Sequence, residues 1–276
     1  VRASIFVKVK NGQLKEIFDP IRNHYTFAQP CGELAKHIDF FSESIVNDSG
    51  FTVEMFPSWT PTIYINLGNP YQISLNTSIW NVHADADILV LRDVHTTRLN
   101  LPGDRIFTIK FKPGGLEAIL AISQVQLKGK IIPLHHILPT HIIGQIRNGP
   151  TFAVRQKIAE EYLQNRYQER KTDHYLTFVQ DLTETYQETR LQFNVSQLAE
   201  KHFTTSKSIN RYFHRVIGIN PKGYFSILRA RTALTAYMTA EGFDPCEFGY
   251  YDSSHFYREV LKFTGSYLTE SLYKHS

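Results

Sequence analysis

Cysteine is scarce: Cys31 and Cys246 are the only two in 276 residues, they lie far apart, and they form no metal-ligand spacing. That excludes a disulfide framework and fits a reducing, cytoplasmic setting. No apolar run approaches the ~20 residues that cross a bilayer, and the N-terminus lacks the basic-then-apolar order of a signal peptide, so a soluble protein with no membrane partner is expected. The chain starts at Val1 rather than Met, which leaves room for a start residue or a longer leader. No sign of charge dominates either. A formal balance of +4 permits a nucleic-acid partner without requiring one, and local charge placement has to decide.

Two further absences remove chemistry. His83, His95, His135, His136 and His141 invite a metal, yet a metal-binding barrel pairs two histidines one residue apart with a carboxylate a few residues on, and "WNVHADADILVL" offers one histidine. "FKPGGLEAIL" has adjacent glycines but not the further Gly, Lys and Ser/Thr of a phosphate loop, so it reads as a turn from strand into helix. No catalytic residue, metal or cofactor is expected, and the chain reads as a non-enzyme.

What is present falls into two halves, as a length beyond the usual ~100 to 150 residues of one domain suggests. In the first, Ile63, Ile65 and Leu67 alternate with Thr62, Tyr64 and Asn66, the period of a half-buried strand, and Gly68-Asn69-Pro70 ends the run. Tyr71, Ile73 and Leu75 repeat the pattern. Asp87 to Leu91 is a short apolar run, and Phe107, Ile109 and Phe111 alternate before Pro113-Gly114-Gly115. Short strands with regular turns predict a sandwich or small barrel. Short helices are expected after the glycines, at Leu116, Ile119 and Leu120, and over Glu33 to Phe41, where Leu34, Ile38 and Phe41 are in phase. Trp59, Tyr64, Tyr71 and Trp80 could line a pocket, although aromatics at strand spacing are more often core.

Asn148-Gly149-Pro150 breaks the pattern, and helical spacing follows, so the chain as a whole is α+β. Phe152, Ile158, Tyr162 and Leu163 form one stripe. Leu176, Val179, Leu182 and Tyr186 form another behind Asp173, in a segment whose polar remainder suggests a solvated connector or an interface helix, with a homodimer contact open. The domains expected are 1–149, strand-rich; 150–187, a helical linker; and 188–276, all-α.

Asn194 followed by Gln197 is a capping-box pattern that opens a short helix. Thr205 can cap the next, in which Ile209, Tyr212 and Phe213 face inward and Lys207, Asn210 and Arg211 face out. Two short helices joined by a turn, the second with Lys, Asn and Arg near its start, meet the geometry of a helix-turn-helix, and those side chains can donate to guanine edges or pair with adenine.

"SQLAEKHFTTSKSINRYFHRVIGINPKGYFSILRARTAL" and "GYYDSSHFYREVLKFTG" resemble the paired helix-turn-helix region of AraC/XylS-type transcription regulators over about the last third of the chain. The resemblance implies two helix-turn-helix units joined by a long helix, here about Pro221 to Tyr237, that enter successive major-groove segments of double-stranded promoter DNA. Matching places the DNA-binding residues at Thr205, Lys207, Asn210, Arg211 and Arg215 in the first unit, and at Ser253, Ser254, Tyr257 and Arg258 in the second. Asp252 would cap the second recognition helix, Gly249 would permit its turn, and Phe256 would anchor it. Arg215, Arg229 and Arg231 are candidates for phosphate contact or for internal ion pairs. Two departures stand out: "EGFDPCEFGYYD" is about one turn too short for the supporting helix of the second unit, and Leu268 stands where a proline is expected. From Tyr186 onward, eleven Lys and Arg face eight Asp and Glu, a weak excess that predicts moderate, salt-sensitive affinity.

More faintly, "PTIYINLGNPY" and "FTIKFKPGGLEAIL" resemble the cupin-like domain that precedes this module in some bacterial regulators, which implies a small-molecule effector or a dimerisation role. The expectation is a bacterial transcription regulator with a strand-rich cupin-like sensor. The alternatives are a metal-dependent cupin-type enzyme with a helical appendage, or a ligand-binding protein that has lost affinity for DNA.

Overall fold

The structure is a computed structural model that describes residues 2–4, 7–8, 14–15, 24–47, 50–168, 173–239 and 243–264. The chain divides into two compact units, one of Val1–Ile5, Glu16–Met55 and Trp59–Asp173, the other of Phe6–Lys15, Phe56–Ser58 and His174–Ser276. The expected departure at Leu268 lies outside the described residues.

Strands come first: β1 (Arg2–Ser4), β2 (Val7–Lys8), β3 (Leu14–Lys15), β4 (Tyr25–Ala28), β5 (Ile38–Ile45), β6 (Phe51–Met55) and β7 (Pro61–Asn66). They continue as β8 (Tyr71–Leu75), β9 (Ser78–Val82), β10 (Ile88–Leu91), β11 (Thr96–Asn100), β12 (Arg105–Phe111) and β13 (Ile131–Pro133). In the first unit, one sheet has the order β1-β6-β11-β8-β9 and a second the order β13-β10-β7-β12-β5-β4. Pairing is antiparallel except for β1, which runs parallel to β6. Strands β2 and β3, of the second unit, pair antiparallel with each other as a two-stranded sheet.

The two sheets share one core, with Tyr64, Ile88, Val90 and Ile106 from the larger and Tyr71, Ile73, Leu75 and Val82 from the smaller. This is the expected α+β chain: a strand-rich sandwich with short helices, then helices alone. Strand β7 departs from its half-buried alternation, since every residue of it is buried. The reason is a helical layer. Helix α1 (Gly115–Leu120) precedes β13, helices α2 (Thr140–Asn148) and α3 (Phe152–Gln168) follow it, and the Phe152 ring lies 6.0 Å from that of Phe107 on neighbouring β12. A sheet covered on both faces buries both sets of alternating residues.

The adjacent glycines act as the turn expected of them. Gly114 takes φ 77°, and a Cβ on Gly115 would sit 2.0 Å from the His37 carbonyl oxygen. The helix expected over Glu33–Phe41 shrinks to a 3-10 turn, Gly32–Lys36, because Ile38 and Phe41 enter the ladder against Phe111 and Ile109 of β12. Hydrophobic spacing fitted both states, and strand pairing decided.

A buried ion pair ties α3 to the sheet: Arg155 donates to both Glu43 oxygens (2.8 and 3.0 Å), while Arg105 reaches Glu43 Oε1 at 2.7 Å. In the second unit, helices α4 (His174–Glu188), α5 (Val195–Lys201), α6 (Ser206–Val216), α7 (Pro221–Thr239) and α8 (Ser253–Thr264) follow, with a 3-10 turn at Pro245–Phe248. Among the described residues, no helix is long and apolar enough to cross a membrane.

Candidate nucleic-acid interface

The first helix-turn-helix is built from local signals. Asn194 Oδ1 accepts the amides of Ser196 and Gln197 (2.9 and 3.0 Å), and Gln197 Oε1 accepts that of Asn194 (2.8 Å), a complete capping box at the start of α5. The chain then turns through Phe203, at φ 51°, and α6 begins where Thr205 Oγ1 accepts the Ser208 amide at 3.1 Å. Ile209, Phe213 and Val216 are buried, and the Phe213 ring meets those of Tyr224 and Phe225 on α7 at 5.7 and 5.2 Å. That anchoring leaves Lys207, Asn210, Arg211, His214 and Arg215 exposed on one side of α6.

Tyr212 faces neither solvent nor the α7 rings. It lies in an aromatic cluster with Tyr175 and Phe178 of α4, at 4.9 and 5.2 Å. The guanidinium of Arg211 sits 5.2 Å over the Tyr212 ring and that of Arg215 5.9 Å over Tyr175, so both arginines keep an exposed charge above an aromatic face. Helix α4 thus backs α6. Leu176, Val179, Leu182 and Tyr186 are its buried stripe, and Tyr186 stacks on Phe225 at 4.2 Å. The sequence shows the stripe but not its target, because a stripe says that a face is covered and not by what.

The second unit is assembled differently. Asn220 Oδ1 accepts the Gly223 amide (2.8 Å) at the head of α7, which runs to Thr239. Among the described residues between α7 and α8 lies the 3-10 turn Pro245–Phe248, held at its start by Asp244 Oδ1 on the Cys246 amide (2.9 Å), in the stretch that the sequence reads as about one turn short of a supporting helix. Gly249 turns the chain at φ 74°, and Asp252 Oδ1 accepts the His255 amide at 2.7 Å to cap α8. Phe256 is buried against Tyr237, Phe243 and Tyr250. Ser253, Ser254, Tyr257 and Arg258 are exposed on α8. Arg258 bends back along its own helix, Nε donating to the Ser254 carbonyl at 3.3 Å.

Arg229, read from the sequence as a phosphate contact or an ion pair, is an ion pair. Its Nη2 lies 2.9 Å from both oxygens of Glu259 on α8, its face lies 4.7 Å over the Tyr250 ring, and Ser226 Oγ also donates to Glu259. Burial alone would raise the Glu259 carboxyl, but the bonds from Arg229 and Ser226 hold it below its ordinary range. This clamp joins α7 to α8. Nothing in the sequence spacing, thirty residues apart, points to it.

The structure therefore gathers the nine predicted residues into two sets, Thr205, Lys207, Asn210 and Arg211 in the first half of α6 with Arg215 in its last turn, and Ser253, Ser254, Tyr257 and Arg258 in the first half of α8. Such a helix start fits a major groove, where exposed amide, guanidinium and hydroxyl groups can reach base edges.

No family model and no curated protein matches the chain. Solved structures do match. ToxT from Vibrio cholerae is similar over 91% of this chain and 98% of its own, at 8% identity and a TM-score of 0.46. The AraC-like transcriptional activator CuxR is similar over 79% of this chain and 88% of its own, at 10% identity and a TM-score of 0.32. A cupin-2 domain containing protein from Shewanella frigidimarina is similar over 32% of this chain and 82% of its own, at 16% identity and a TM-score of 0.26.

Proposed function

We propose that this chain is a sequence-specific transcription regulator of bacterial promoter DNA, acting in the cytoplasm without catalysis. The strand-rich unit senses a small effector and the helical unit reads DNA. Thr205, Lys207, Asn210, Arg211 and Arg215 contact one major-groove segment, and Ser253, Ser254, Tyr257 and Arg258 contact the next. The observation that carries this reading is the pairing of two side-chain-capped helices, α6 and α8, each with an exposed polar edge and each packed against the one long helix α7. A solvated helix face explains one such edge but not two on a shared support. The effector acts by differential affinity for DNA-competent and incompetent states.

The direct test is selection from a random duplex library with the purified protein, followed by titration of the enriched site at two salt concentrations. A shared motif whose affinity falls with salt is expected. Recovery of unrelated sequences only, with no preference over random DNA, would overturn the reading.

A further inference from the structure

Consecutive residues on a helix point about 100° apart, so immediate neighbours seldom meet. Arg211 and Tyr212 do meet. The Arg211 guanidinium lies sideways, 5.2 Å from the centre of the Tyr212 ring. One turn further along α6, the Arg215 guanidinium lies 5.9 Å over Tyr175 of α4. The two rings are themselves in contact, edge to face at 4.9 Å and 70°. Together they form one aromatic shelf beneath both arginines.

The shelf is fixed from behind. Phe178 meets Tyr212 edge-on at 5.2 Å and 85°, His202 meets Phe178 at 5.8 Å, and His202 Nε2 is hydrogen-bonded to Thr185 Oγ1 at 2.9 Å, which closes the row back onto α4. Tyr212 is half-buried, so its ring spans the distance from the helix interior to the outer edge. Among the described residues, no hydrogen bond or ion pair engages Arg211. Arg258 on α8 instead turns its Nε onto the Ser254 carbonyl. A long exposed side chain loses rotamer freedom when it docks, and an arginine already laid on a ring has less to lose. Stacking occupies the face of the guanidinium and leaves its planar fork of N–H groups clear. That fork matches O6 and N7 of guanine.

We propose that Tyr212 and Tyr175 are positioning residues that pre-set Arg211 and Arg215 for DNA, Arg211 toward a guanine edge and Arg215 toward the backbone. This rests on the reading of α6 as a DNA-reading helix and names one base that its half-site contains.

The test is a double-mutant cycle on the duplex selected by the full chain, with Arg211→Ala, Tyr212→Leu and the two combined. Tyr212→Leu should weaken binding about fivefold and erase a guanine preference at one position. Tyr212→Phe keeps the ring and should stay within about twofold of wild type. Once Arg211 is replaced by alanine, Tyr212→Leu should add nothing. Equal losses from Tyr212→Leu in both backgrounds, or a Tyr212→Phe variant as weak as the leucine one, would overturn the proposal and leave the ring a packing role. Should Tyr212→Leu not fold, as judged by circular dichroism, Tyr175→Leu decides, since that ring is 39% exposed. About threefold weaker binding that vanishes in the Arg215→Ala background supports the shelf, and a loss that persists there overturns it. Nitrogen relaxation at Arg211 Nε gives a readout without DNA: order in wild type and in Tyr212→Phe, and motion in Tyr212→Leu, is expected, and equal order in all three overturns the positioning role. The two readings fail separately. A wild type that selects no motif sinks the regulator reading and the shelf's part in it, whereas a clear motif with additive losses sinks the shelf alone.

Discussion

Helix α6 packs on α4 through Tyr212 against Tyr175 and Phe178 and on α7 through Phe213 against Tyr224 and Phe225, with α5 entering through a full capping box. Helix α8 follows a four-residue 3-10 turn, and a charged clamp from Arg229 on α7 holds it. One half is supported by apolar packing spread over many contacts. The other adds one carboxylate clamp to the aromatic packing of Phe256. Dispersed packing tolerates pH and salt, whereas a half-buried ion pair answers to both.

Removing an anchor has the largest effect. Phe213 and Phe256 are both 0% exposed, and Phe→Ala in a core costs about 3–5 kcal/mol. Phe213→Ala should destabilise the whole helical unit by that amount in urea unfolding. Phe256→Ala should release amide protection in α8 while leaving α4 to α6 protected, as followed by hydrogen exchange. Equal loss of protection in both halves would break the comparison and show a single cooperative body.

Glu259→Gln comes next, at about 1–3 kcal/mol, because Arg229 is left half-buried opposite a neutral amide. The sign with pH follows from the lowered carboxyl. The clamp contributes fully at neutral pH, and its contribution fades as pH falls through the folded value, so wild type and variant should converge in acid. Denaturation at neutral and acid pH checks it. A gap that stays constant in acid would remove Glu259 from the support of α8. Arg229→Ala should act likewise on stability and leave the salt slope of DNA binding unchanged, since its charge is already engaged.

On DNA, Arg211→Ala should weaken the selected site by about 1–3 kcal/mol and relax one base position. Arg258→Ala should weaken it less, because α8 is less firmly supported and Arg258 already leans on its own helix. The reverse order, in competitive titrations, would show that the clamp serves as well as a helix. The smallest change concerns Phe203, 99% exposed and left-handed at φ 51°. Phe203→Gly should raise stability by up to about 1 kcal/mol by relieving that conformation, read as a higher Tm, with specificity unchanged.

Features set within a few residues were legible beforehand. Asn194 with Gln197, Thr205, Asp252, Gly249 and the pair Gly114-Gly115 act through their own backbone neighbourhood, and each does in the fold what its spacing indicated. Partners were not legible. The stripe of α4 read as a connector packs on α6 and α7, the alternation of β7 gave no hint of a helical layer over its outer face, and Arg229 was ambiguous until Glu259 stood opposite.

The amino-acid order thus determined where the capped helices and the glycine turns begin and which residues stand outermost on α6 and α8, because caps, turns and helical phase depend on contacts a few positions away. Tertiary structure alone decided which arginines are spent on carboxylates, as Arg155 and Arg229 are. The physical reason is that pairing and desolvation depend on groups far apart in the chain, and only the closed sandwich and the packed helices bring them together.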